Sequence, residues 1–192
     1  MSNFKKAAAE LAAALAMSVV TYASDASLDY RILATSKTSA MEKELNDAAA
    51  DGYRFSKAMG GKSANGGQEV VVAMVKDLND SGWEVRQYRL LAATRTSTMQ
   101  KEMQRAAGDG YEYAGQTVFE TAFGGREVVV IMELDPARTG SHSSYRLLAT
   151  TKTSTMQKEL QEAGAQGYVL LGLTVAKTEI GGDEIVTILR KN

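Results

Sequence analysis

The chain has 192 residues, 44% hydrophobic and 23% charged, a globular composition with room for one sizeable domain. Twenty-two Lys and Arg stand against 23 Asp and Glu, a formal charge of -1, so there is no basic surplus of the kind a nucleic-acid binder uses to neutralise phosphates. With no cysteine and one histidine, His142, the sequence excludes thiol catalysis, disulfide frameworks, iron–sulfur clusters and the usual zinc sets; no metal or cofactor is expected.

Residues 1–26 place Lys5 and Lys6 ahead of a stretch of Ala, Leu and Val, with small residues at Ser24 and Ala26. This is the layout of a secretory signal peptide cleaved after Ala26, and it predicts a periplasmic or secreted protein. Glu10 and the abundance of alanine also suit an amphipathic helix that stays on the chain. The uninterrupted apolar run is shorter than the ~20 residues a bilayer crossing needs, so no stable membrane span is expected.

From Tyr30 onward the sequence repeats itself. Segments 30–77, 88–135 and 145–192 align without gaps, with sixteen of 48 columns identical, among them Tyr30/Tyr88/Tyr145, Arg31/Arg89/Arg146 and Gly52/Gly110/Gly167. The connectors 78–87 and 136–144 are polar, contain the turn formers, and read as linkers within a single domain of residues 27–192.

Each unit opens with a short apolar strand of the YRLLAT type. The spacing Ser39/Glu42, Ser97/Gln100 and Ser154/Gln157 is that of a capping box, with the serine as helix cap. Met41, Leu45 and Ala48 and their counterparts then form one apolar helical stripe. Gly52, Gly110 and Gly167 supply the left-handed residue that ends each helix, and the following tyrosine is placed to pack on its last turn. Two strands follow, such as Tyr111–Thr121 and Glu127–Leu134, with a Gly-Gly turn at 66–67, 124–125 and 181–182.

The unit is therefore β-α-β-β. At 48 residues it is small for independent stability, and its last strand, Val70 to Met74 or Val128 to Met132, is apolar on both faces. The expected fold is α+β: three tandem repeats sharing one core, with nine strands and three helices. Helices are expected outside and sheets inward, in a closed pseudo-threefold arrangement or, alternatively, an open side-by-side array.

The passage from Glu44-Leu45 to Gly52-Tyr53, and above all LQEAGAQGYVLLGL at 160–173, resembles a small bacterial domain of unknown function whose helix ends in Gly-x-x-Gly before Trp or Tyr and a hairpin. The third copy has both glycines, Gly164 and Gly167, while Ala49 and Ala107 replace the first in the others. The resemblance implies a β-α-β-β module with no known reaction.

One column suggests ligand chemistry. Lys37-Thr38-Ser39, Arg95-Thr96-Ser97 and Lys152-Thr153-Ser154 put a cation and two hydroxyls at a helix N-terminus, where free N–H groups favour a phosphate, sulfate or carboxylate. The plainer reading is a capping serine, a strand-end threonine and a solvated cation. Arg31 and Glu69, with their counterparts, read as a cross-strand ion pair. Tyr30, Tyr88 and Tyr145 suit either partial core or stacking on a sugar or base. Gly60-Gly61-Lys62-Ser63 lacks the first glycine of a phosphate loop, Asn79-Asp80-Ser81 fits a glycosylation sequon, and His142 stands alone.

These residues predict a non-catalytic exported protein acting as a binding or structural module, with an envelope macromolecule or a small anion as partner and no nucleic acid. The alternatives are a small-anion-binding protein built on the helix N-termini and, more distantly, a hydrolase or transferase.

Overall fold

The structure, a computed structural model, describes residues 27–62, 67–80, 82, 84–120, 126–138, 143–177 and 183–192. The expected signal peptide, His142, Ser63, Ser81 and the Gly-Gly turns, apart from Gly67, lie outside the described residues.

The elements run β1 (Leu28–Thr35), α1 (Thr38–Ala50), β2 (Arg54–Lys62), β3 (Gln68–Asp77), β4 (Gln87–Ala93), α2 (Thr96–Gly108), β5 (Glu112–Glu120), β6 (Arg126–Leu134), β7 (Ser144–Thr150), α3 (Thr153–Ala165), β8 (Val169–Lys177) and β9 (Asp183–Lys191). Among the described residues, nine strands and three helices thus fall into three β-α-β-β units. Each unit forms a three-stranded antiparallel sheet with its last strand in the middle, in the orders β1-β3-β2, β4-β6-β5 and β7-β9-β8. Beside Phe55, Tyr113 and Leu170 the second strand of each unit shifts register by a bulge, leaving one residue out of the ladder.

The helix ends form as expected. Gly52, Gly110 and Gly167 have φ of 91°, 90° and 84°. In the first unit Gly52 N–H donates to the Ala49 carbonyl and Tyr53 N–H to that of Ala48, the paired bonds of a Schellman motif. The helix starts differ from expectation. Lys37, Arg95 and Lys152, not the serines, occupy the cap position, and no side chain caps any of the three helices. The acid or amide assigned to the capping box is drawn off in the first two units by a stronger claim, a strand N–H of the next repeat.

The repeats engage in sequence. Helix α1 packs on its own β1 and on β4, and α2 on its own β4 and on β7; β2 lies against β5, and β5 against β8. This is the open side-by-side array. The helices are not an outer layer: α1 and α2 are each wedged between their own sheet and the first strand of the following repeat. Cores form at these junctions, one gathering Met41, Leu45 and Met74 with Tyr88, Val129 and Ile131, the next gathering Met99, Met103 and Met132 with Tyr145, Val186 and Ile188. The two-faced last strand explains the arrangement. In β6, Val129 and Ile131 face the first repeat while Val128, Val130 and Met132 face α2, and all five are buried. In β3, which follows no other repeat, Val71 and Ala73 on the equivalent face are only half-buried.

Candidate functional site

The residues nominated for anion binding sit one set per repeat. Lys37, Ser39, Arg95, Ser97, Lys152, Thr153 and Ser154 are exposed, while Thr38 and Thr96 are half-buried. The sets are not brought together, because the first strand of the following repeat stands between one helix and the next. The Lys37 and Lys152 N–H groups donate to the Thr35 and Thr150 hydroxyls at 3.2 and 3.3 Å, so the local turn uses part of the polar backbone there.

The expected Arg31–Glu69 pair does not form. Arg31 lies opposite Met74 in the register, and its guanidinium binds Asp51 at 2.7 Å while lying 4.1 Å from the centre of the Tyr53 ring. Arg89 repeats this with Asp109 and Tyr111, and Arg146 with Gln166 and Tyr168. The column of arginines therefore holds the helix C-terminus to the first strand. It is a packing device repeated three times.

The tyrosines that open the repeats divide. Tyr88 and Tyr145 are each 3% exposed at the junctions, whereas Tyr30 is 62% exposed. At the first junction, Tyr88 N–H donates to Asn46 Oδ1 and the Tyr88 carbonyl accepts from Asn46 Nδ2, both at 2.9 Å. Leu90 N–H donates to Glu42 Oε2 at 2.8 Å, and the bulge N–H of Phe55 donates to the Tyr88 hydroxyl at 2.9 Å. The second junction repeats the set. Gln104 Oε1 accepts from Tyr145 N–H at 3.1 Å and its Nε2 donates to the Ser143 carbonyl at 3.2 Å; Leu147 N–H donates to Gln100 at 3.0 Å and Tyr113 N–H to the Tyr145 hydroxyl at 2.8 Å. Helix side chains thus take the place of a neighbouring strand along the edges of β4 and β7. Sequence reasoning missed the column Asn46/Gln104/Gln161; its signal was an amide in every copy, one helical turn after the capping-box residue.

Small residues let the second strands approach. A Cβ on Gly115 would lie 2.6 Å from the Phe55 ring, one on Gly60 would collide with the Val118 carbonyl, and one on Gly172 would meet the Tyr113 hydroxyl at 2.5 Å. The first repeat has Lys57 where the others have Gly115 and Gly172.

A recess of about 210 Å³ opens between the first two repeats, lined by Phe55, Ser56, Tyr113, Glu112, Glu133, Asp135 and Arg138 among others. Its acids are bridged. Arg86 reaches Glu133 at 2.5 Å and Asp135 at 2.7 Å, and Glu112 pairs with Arg138 at 3.3 Å and Arg190 at 3.6 Å. The Tyr88 hydroxyl donates to Glu133 at 2.8 Å, and burial with the Glu133 charge pushes its ionisation well above the ordinary tyrosine range. Burial also pushes Tyr113 up to about 12. Among the described residues no group of three or more acids or histidines is placed to hold a metal ion, and no helix is long and apolar enough to cross a membrane.

The two ends of the array expose apolar surface. Among the described residues, apart from Leu78 and Val85, the large hydrophobic side chains left exposed are Leu28, Tyr30 and Ile32 of β1, Met59 of β2, and Val169, Leu170, Leu173 and Val175 of β8. Beside α3 lies an open groove of about 470 Å³ lined by Thr153, Met156, Gln157, Leu160, Gln161, Leu173 and Ile185. Leu45 and Met103, the counterparts of Leu160, are fully buried under the next repeat; Leu160 is half-exposed. In comparisons with protein families, curated proteins and solved structures, the chain matches none.

Proposed function

We propose that this is an exported, non-catalytic repeat protein that works through its surface, as a binding or structural module of the cell envelope. The observation that carries this reading is the contrast between its polar and apolar surfaces. The charged groups of the inter-repeat recess are committed to one another, whereas apolar area is left open at both ends of the array. A hydrolase or transferase built on the same recess would have to draw on carboxylates that arginines already bridge.

The test is a photo-crosslinking residue placed at Leu173, with a control at exposed Lys43, in cells that are then fractionated. The expected result is protein in the envelope or extracellular fraction, crosslinked to a macromolecule from position 173 and not from 43. A chain confined to the cytoplasm with no adduct would overturn the reading.

The small-anion alternative has one observation in its favour, the absence of a side-chain cap at all three helix starts. A melting temperature raised by phosphate or sulfate, and no longer raised after Lys37, Arg95 and Lys152 are replaced together by Ala, would support it.

A further inference from the structure

The two open ends carry the same residue columns as the two sides of the junction the chain makes twice within itself. At each internal junction a helix offers an acid or amide at one position and an amide one turn later, Glu42 with Asn46 or Gln100 with Gln104. The same positions on α3 are Gln157 and Gln161, both exposed, flanking the half-buried Leu160. The receiving strand offers the N–H groups of Tyr88 and Leu90, or of Tyr145 and Leu147. On β1 the corresponding residues are Tyr30 and Ile32, 62% and 63% exposed. Behind them, Val71 and Ala73 occupy the face that in β6 and β9 is buried against the preceding repeat.

From this correspondence we infer that the partner of the α3 groove is the β1 end of a second copy of this chain, so that the protein assembles head to tail. The inference deepens the surface-binding reading and rests on it. In the assembly, Gln157 accepts from the Ile32 N–H of the next copy, Gln161 bridges the backbone around its Tyr30, and the Tyr30 hydroxyl accepts from the bulge N–H of Leu170. The apolar residues Leu160, Met156 and Leu173 close over the Tyr30 and Ile32 face.

Two further features support this. Terminal repeats of a self-contained array carry a polar outer face, which keeps them soluble, whereas among the described residues both ends of this array expose large apolar side chains. The substitution at the head is matched at the tail. Where Gly115 lies beneath the Phe55 ring and Gly172 against the Tyr113 hydroxyl, the head has Lys57, and the tail side chain facing that place is the smaller Leu170, which the lysine stem can cover. The contact is heterologous, so it propagates into a filament or closes as a ring.

Sedimentation of the full-length protein from low micromolar to near-millimolar concentration tests the inference, together with Ile32→Asp at the head and Leu173→Asp at the tail. Both positions are exposed in the single chain, so an unchanged melt of the variants confirms their fold. The expected result is a wild-type mass rising with concentration, single chains for each variant alone, and a two-chain species and nothing larger when the variants are mixed. Either variant dimerising alone, or a mixture that stays monomeric, would overturn it. So would a wild type that is a single chain throughout, as when residues 1–26 cover the head of their own chain. A monomer in solution that still crosslinks from position 173 to a different envelope molecule in cells would sink self-assembly and leave the surface-binding reading standing.

Discussion

Asn46 engages both polar groups of the Tyr88 backbone with its amide, accepting from the N–H and donating to the carbonyl at 2.9 Å each, as an adjacent strand would. With Glu42, which takes the Leu90 N–H, it closes the edge of β4 and holds the second repeat on the first. Replacing it by alanine leaves a half-buried N–H and carbonyl unpaired, with an expected cost of about 1–3 kcal/mol in chemical denaturation. Gln161→Ala, in the same column but at the open end, should leave the stability of the single chain unchanged within about 0.5 kcal/mol. Equal losses at both sites would contradict the junction role.

The close approach of the second strands makes a glycine prediction that distinguishes two positions. At Gly60 an added Cβ meets a backbone carbonyl, which moves only if β5 moves; at Gly115 it meets a side-chain ring. Gly60→Ala should therefore destabilise by about 1–3 kcal/mol, the usual range for overpacking, and Gly115→Ala by less. The order of the two denaturation midpoints is the readout, and the reverse order would count against the strand contact.

Stability should fall at alkaline pH. Tyr113 ionises at about 12 in the folded chain and near 10 when unfolded, so its contribution is intact below pH 10 and is lost as pH rises through 12. The raised ionisation of Tyr88 and Tyr145 acts in the same direction. Denaturation midpoints at pH 9 and 11, followed with tyrosinate absorbance, should show the drop. A Tyr113→Phe variant should lose less stability between these two pH values.

A polypeptide of residues 88–135 alone should be unfolded or oligomeric. Val129 and Ile131 belong to the core shared with the first repeat, and Met103 and Met132 to the core shared with the third. A cooperative monomeric melt by circular dichroism would show that one repeat is self-sufficient.

The elements were legible in the sequence because their signals are local: the Gly-Tyr stop at 52–53, the Met41/Leu45/Ala48 stripe, the apolar run at 128–132. The two-faced strand even announced that neighbours share a core. The junction chemistry was not legible. Ser39 and Glu42 have capping-box spacing, but the N–H that claims Glu42 belongs to Leu90, 48 residues away, and no local pattern reveals it. Without a register the sequence offers Glu69 as the partner of Arg31, whereas the strand pairing sets Arg31 opposite Met74 and leaves it to Asp51. Three like copies also fit a ring as well as a row. Lys57, in the column of Gly115 and Gly172, and Ala73, in the column of Ile131 and Ile188, mark the first copy as different on the face that receives a preceding repeat in the other two.

The hydrogen bonds that the helix amides and acid and the Tyr88 and Tyr145 hydroxyls make from one repeat to the next join residues 32 to 48 positions apart. A chain emerging amino end first can therefore complete its first junction before the third repeat is available. Folding is thus expected to start at one junction and propagate along the array, as in other proteins built of repeats that contact only their neighbours.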